Sequence, residues 1–139
     1  MNNIALIAGE GVLPVEIAKK LNKIQDETLI IALRDDPEIL RPYAGKLVYL
    51  KTPNFTRGIK EIKSFGSNEL IMAGRISKKI IYRFPFAFDK IALKILKNSL
   101  RDDHSLLGSV VKVFEDENIK VIPYWKILPE FIAPDGILS

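Results

Sequence analysis

Apolar positions follow two rhythms along this chain. In the first, continuous runs stand between polar breaks: "IALIA" at 4–8, "TLIIAL" at 28–33, "KLVYL" at 46–50, "ELIMAG" at 69–74 and "IKVIP" at 119–123. Runs of that length, rich in Ile, Leu and Val, predict strands buried on both faces. In the second rhythm the apolar residues recur every three or four positions. Leu13, Ile17, Leu21 and Ile24 predict one helix, with Pro14 in its first turn, where a missing N–H costs nothing. Phe55, Ile59, Ile62 and Phe65 predict a second helix, closed by Gly66. Phe88, Ile91, Ala92 and Ile95 predict a third. Leu106, Leu107, Val110, Val111 and Phe114 predict a fourth, with Asp102 or Asp103 placed to cap it. The stretch "RISKKIIYRFPF" fits neither rhythm, and the tail "YWKILPEFIAPDGILS" reads as a short helix and loop.

Buried strands alternating with amphipathic helices predict an α/β fold, with a mainly parallel five-stranded sheet covered on both faces. Right-handed crossovers favour the strand order 3-2-1-4-5, a Rossmann-like three-layer sandwich. The 139 residues show no internal repeat, linker or low-complexity segment and read as a single domain, 1–139. In such sheets ligands lie beyond the carboxyl ends of the strands, where strand order reverses. Three loops should gather there: Gly9–Leu13, Arg34–Pro37 and Gly74–Lys78.

Each loop carries candidate chemistry. Gly9, Glu10 and Gly11 precede a helix start at Val12 and Leu13. Glycines allow close backbone approach, and a helix N-terminus favours an anion, so a phosphate fits here. A tight strand-to-helix turn without a ligand fits as well. A dinucleotide fingerprint would need glycine at position 14, where the chain has Pro14, and Glu10 adds negative charge beside the loop. Asp35 and Asp36 follow the second strand. They could hold a ribose, which keeps an NAD(P)-binding module open as an alternative, or simply make the Asp-Asp-Pro turn. Gly74 and Arg75 end the fourth strand, and an arginine there can fork two bonds to a phosphate or carboxylate. Asp102 and Asp103 beside His104 could hold Mg²⁺ or cap a helix.

Composition narrows the chemistry. The absence of cysteine removes disulfides and thiolate sites, and one histidine removes a multi-histidine metal centre. No apolar run is long enough to span a bilayer, and "MNNIALIAGEG" has no basic signal-peptide region, so a cytoplasmic protein is expected. The net charge of +4 is unevenly placed: residues 75–101 carry eight Lys and Arg against Asp89 alone, leaving the remainder net acidic. A basic zone of this kind suits an anionic partner or a solvated lysine face. Tyr82, Phe84, Phe86 and Phe88 alternate within it and could form an apolar surface for a second domain, for acyl chains or for a partner, the last as a non-catalytic interaction domain. No nucleic-acid motif accompanies them, and no nucleic-acid partner is expected.

Taken in order, "LIAGEGVLPVEIAKK", "MAGRIS", "RDDHSLLGSVVKVFEDENIKVI" and "APDGIL" resemble the N-terminal domain of the metal-dependent, non-calcineurin-like UDP-2,3-diacylglucosamine pyrophosphatase family. The resemblance spans nearly the whole chain. It implies a role in lipid A biosynthesis, with hydrolysis of UDP-2,3-diacylglucosamine to 2,3-diacylglucosamine 1-phosphate and UMP, assisted by Mg²⁺ or another divalent cation. By matched position it implies substrate-binding loops at Gly9, Glu10, Gly11, Val12 and Leu13, at Gly74 and Arg75, and at Asp102 and Asp103. Three departures stand out: Glu10 replaces a usual glycine, Arg101 replaces the glycine before the Asp pair, and Ser77-Lys78 stands near a usual Arg-Pro. Family members continue into a second domain that carries the metal-binding carboxylates. The resemblance therefore implies either an excised N-terminal domain or half of a split enzyme, with the catalytic residues expected in that C-terminal domain, in cis or trans. It also implies little hydrolysis by the 139 residues alone, and a place near the anionic inner membrane that holds the lipid substrate.

Overall fold

The computed structural model describes residues 3–50, 54–75 and 106–129. Among the described residues five strands form one sheet: β1 (Ile4–Ala8), β2 (Leu29–Ala32), β3 (Lys46–Tyr49), β4 (Glu69–Ala73) and β5 (Lys120–Val121). Their order is β3-β2-β1-β4-β5, and every pairing is parallel. This is the α/β, Rossmann-like arrangement that the alternation of runs predicts. The helices are α1 (Leu13–Ile24), α2 (Phe55–Phe65) and α3 (Leu106–Asp116), with 3-10 turns at Pro37–Tyr43 and Tyr124–Lys126.

The sheet separates two apolar layers because successive strand side chains point to opposite faces. On one face Ile4, Leu6 and Ala8 of β1 pack with Ile17, Ala18 and Leu21 of α1 and with Leu40 of the first 3-10 turn. On the other, Ala5 of β1 with Leu29 and Ile31 of β2 meets Ile59 and Ile62 of α2 and Phe114 of α3. Phe55 and Phe114 join α2 to α3 through tilted rings with centroids 5.9 Å apart. Each fully buried Leu or Ile contributes about 1.5–3 kcal/mol over its exposed state, so both helix layers are held mainly by these contacts.

Local chemistry sets the element ends. Asn54 caps α2 by accepting from the Arg57 amide at 3.0 Å, and Gly66 turns the chain out of it. At the far end of α1, the Gln25 amide acts as a surrogate strand partner for β1. Its oxygen accepts from Ile4 N–H (3.1 Å), and its nitrogen donates to the Ile4 carbonyl (2.8 Å) and to Thr28 Oγ1 (2.9 Å).

β1 fills its apolar run, and the other four strands stop short of theirs. β5 keeps only two residues, Lys120 and Val121, which pair with Glu69 and Leu70, and Pro123 just beyond them has no N–H to extend the ladder. The 3-10 turn at Pro37–Tyr43 is an element the periodicity does not announce: two prolines and Asp36 start and bend it, and only Leu40 is buried. The predicted helix over Phe88–Ile95, the aromatic alternation at 82–88, most of the basic zone, the Asp102-Asp103 pair with His104, and the tail beyond 129 lie outside the described residues.

Candidate functional site

At the carboxyl edge of the sheet, β1 lies between β2 and β4, and the strand order reverses there. The three loops that leave this edge meet. Gly9 N–H donates to the Ala73 carbonyl at 2.8 Å. Beyond it, Glu10 and Arg75 form an isolated antiparallel bridge, with Glu10 N–H to the Arg75 carbonyl at 2.7 Å and Arg75 N–H to the Glu10 carbonyl at 3.1 Å. The crevice floor between β1 and β4 is therefore stitched shut by backbone.

That stitch explains the glycines. A methyl at Gly9 would run into the Arg75 carbonyl. A methyl at Gly74, whose φ is +92°, would lie 2.7 Å from both the Glu10 carbonyl oxygen and Pro14 Cγ. Bare backbone at both positions lets one loop approach the other. Gly11 differs, because its φ is +108° but open space surrounds it. Close approach to a ligand is thus a property of Gly11 and the helix start, while Gly9 and Gly74 are taken up by each other's loops.

The second loop arrives through Arg34, a residue of which only 5% is exposed. Its Nη1 donates to the Gly9 carbonyl (3.1 Å) and the Gly11 carbonyl (3.0 Å), while Nε and Nη2 face the two carboxylate oxygens of Asp36 at 2.6 and 3.3 Å. The hydrogen bond from Arg34 holds the Asp36 carboxyl below its ordinary value of 3.8. Glu10, the family departure, has a local partner, since its carboxylate accepts the Asp35 amide at 2.8 Å. Asp36 is thus committed to Arg34 and the Asp35 amide to Glu10, which leaves the ribose reading of this pair with an exposed Asp35 side chain and little else.

Above the stitched floor stand Gly11, Val12 and Leu13. Val12 begins α1 without a side-chain cap and is 71% exposed. Its carbonyl accepts from Val15 and Glu16, but the amides of Gly11, Val12 and Leu13 meet no acceptor among the described residues. Free amides at the positive end of a helix favour an anion. The Arg75 side chain, exposed beside this loop, adds a cationic fork.

The profile of the LpxI N-terminal domain family matches residues 3–131. The chain belongs to this family. A UDP-2,3-diacylglucosamine pyrophosphatase LpxI from Caulobacter vibrioides is 28% identical over 145 residues, a match that takes in all of this chain and half of that protein. This LpxI N-terminal domain therefore spans about half the length of the curated relative it matches.

Of the residues singled out in the sequence, the fold brings Gly9, Glu10, Gly11, Val12 and Leu13 together with Gly74 and Arg75. Asp102 and Asp103 fall outside the described residues. Arg34 escapes a sequence reading, although an arginine two residues before an aspartate at a strand's carboxyl end is a usable signal. Among the described residues, no three His, Asp or Glu side chains gather to hold a metal ion, and no helix is long and apolar enough to cross a membrane. Among the described carboxylates of the crevice, Glu10 and Asp36 are already engaged, which leaves Asp35 too few neighbours to hold a divalent cation. A cavity of about 630 Å³ opens between α2, α3 and the sheet and reaches Gly9, Leu13 and Gly74 of the crevice loops. Its walls include Ile7, Leu33, Phe55, Met72, Phe114 and Trp125, with no charged side chain among the described residues, so it suits apolar matter and not a diphosphate.

Proposed function

We propose that this LpxI N-terminal domain is the substrate-binding half of a UDP-2,3-diacylglucosamine pyrophosphatase of lipid A biosynthesis. The observation that carries the reading is the correspondence with LpxI over half of that protein's length, from the glycine loop to beyond β5. The site chemistry agrees with it. Amides at the start of α1 and the exposed Arg75 offer donors and positive charge to a diphosphate, whose charge is the feature that separates this substrate from neutral lipids.

In this reading the chain forms a single domain, and the glycine loop and Arg75 make one wall of a nucleotide-sugar cleft. The family resemblance adds Asp102 and Asp103 to the substrate-binding residues. A second domain would supply the opposite wall and the carboxylates that hold Mg²⁺ or another divalent cation, and such a cation would neutralise the charge of the diphosphate. The domain alone binds and does not hydrolyse. Its basic residues between 75 and 101 favour the anionic cytoplasmic face of the membrane that holds the lipid substrate.

Calorimetric titration of the chain with UDP-2,3-diacylglucosamine in neutral detergent, beside NADH, tests this. Saturable binding of the nucleotide sugar without binding of NADH is expected. Binding of NADH alone would replace the reading with a dinucleotide-binding module.

A further inference from the structure

Arg34 has no place in the family resemblance and no obvious ligand of its own, yet it is the most buried charged side chain among the described residues. Burying a guanidinium costs free energy unless its donors are matched. Here they are matched to an unusual set: two carbonyls of one loop, Gly9 and Gly11, and the carboxylate of Asp36. We infer that Arg34 is a positioning residue for anion binding: it pulls the carbonyls of Gly9 and Gly11 inward and so leaves the loop presenting amides, not carbonyls, at the start of α1.

The inference rests on the diphosphate reading of that site. Geometry makes the role specific to arginine. A single Nη1 reaches both carbonyls while Nε and Nη2 of the same plane engage Asp36, so the fork spans two loops at once. Lysine keeps the charge but cannot bridge the three groups. Carbonyl oxygens released from Arg34 would be free to turn toward the crevice, where they repel phosphate oxygens. Glu10 reinforces the arrangement from outside, since its grip on the Asp35 amide fixes the loop that carries Arg34. The anchor is therefore built from both ends: a buried cation on the floor and a carboxylate at the rim.

The test follows backbone amide NMR of the chain during titration with inorganic pyrophosphate and, separately, UDP. The wild-type chain should bind both, with the largest shifts at Gly11, Val12 and Leu13. Arg34→Lys should lower the unfolding midpoint by several degrees, because lysine leaves some of the Arg34 partners unpaired, yet remain folded at the titration temperature and bind both probes about tenfold more weakly, ~1.4 kcal/mol. Arg41→Gln, which removes an exposed cation of the first 3-10 turn, should leave affinity unchanged and so exclude a bulk charge effect. If Arg34→Lys does not fold, Asp36→Asn decides: about threefold weaker binding supports the role, and unchanged binding overturns it. A folded Arg34→Lys chain that binds like wild type overturns the inference and leaves the pyrophosphatase reading standing. Wild-type binding of pyrophosphate, lost in Arg34→Lys, with no binding of UDP-2,3-diacylglucosamine and no hydrolysis after a second domain is supplied, removes that reading and leaves the role of Arg34 intact. A wild-type chain that binds neither probe overturns the inference.

Discussion

Gly9→Ala places one methyl group at the stitched floor and tests whether the loops truly share backbone space. The φ of Gly9 is not in the left-handed region, so alanine there has no intrinsic conformational penalty. The cost is steric. The methyl meets the Arg75 carbonyl, with Arg75 C at 2.9 Å and Arg75 N at 3.0 Å behind it, all of them backbone atoms that cannot rotate away. Relief requires the end of β4 to move, which breaks the Glu10–Arg75 pair of hydrogen bonds. Two such bonds are worth about 1 kcal/mol each, and overpacking adds roughly 1–3 kcal/mol. Where strain and bond loss partly replace one another, the net is about 2–4 kcal/mol, a large share of the ~5–15 kcal/mol typical of a domain. Gly11→Ala is the control, because it meets only the left-handed backbone penalty of about 1–2 kcal/mol in open space. Urea unfolding followed by circular dichroism should show Gly9→Ala losing more than Gly11→Ala, by about 1.5 kcal/mol at the midpoints of the two ranges, with unchanged m-values. Equal losses in the two variants, or a Gly9→Ala chain as stable as wild type, would refute the shared-backbone account.

Other expectations concern the elements around that floor. Gln25→Ala removes the side-chain partner of β1 at Ile4 and should cost about 1–3 kcal/mol in urea unfolding, chiefly by leaving part-buried backbone groups unpaired. Phe114→Ala empties a side chain that is 1% exposed and ends its ring contact with Phe55, and a loss of about 3–5 kcal/mol with weaker near-ultraviolet ellipticity is expected. Asp36 gives a pH signature. Its folded-state carboxyl titrates below 3.8, so its stabilisation is fully present above that value and fades as pH falls through the folded-state value. Subtracting the stability profile of Asp36→Asn from that of wild type should leave a difference that vanishes on acidification, and a difference that is flat through that range would contradict the Arg34–Asp36 pairing.

Much of the architecture is written locally. The strand runs 4–8, 28–33, 46–50 and 69–74 need only their own apolar character to be recognised, and right-handed crossovers then fix their order. The helices at Leu13 and Phe55 carry their own spacing, with Pro14 and Gly66 as end signals, while the Asn54 cap emerges only in the fold. The site is less legible because its decisive contacts join residues far apart in the chain. Arg34 reads as a polar end to β2, and its burial depends on carbonyls 23 and 25 residues earlier. Glu10 reads as unfavourable charge in a phosphate loop until the Asp35 amide arrives beside it. Gly9 and Gly74 look like room left for a ligand, and only the fold reveals that each makes room for the other's loop. Pro37–Tyr43 escapes because a 3-10 turn with one buried residue leaves no periodic trace.

Reconstitution tests the central claim most directly. The 139-residue chain, a separately produced C-terminal domain of the family, UDP-2,3-diacylglucosamine and Mg²⁺ are combined, and UMP release is measured against each component alone. The account predicts UMP and 2,3-diacylglucosamine 1-phosphate from the mixture and none from the chain by itself. No turnover in the mixture together with no binding of the nucleotide sugar by the chain would contradict it.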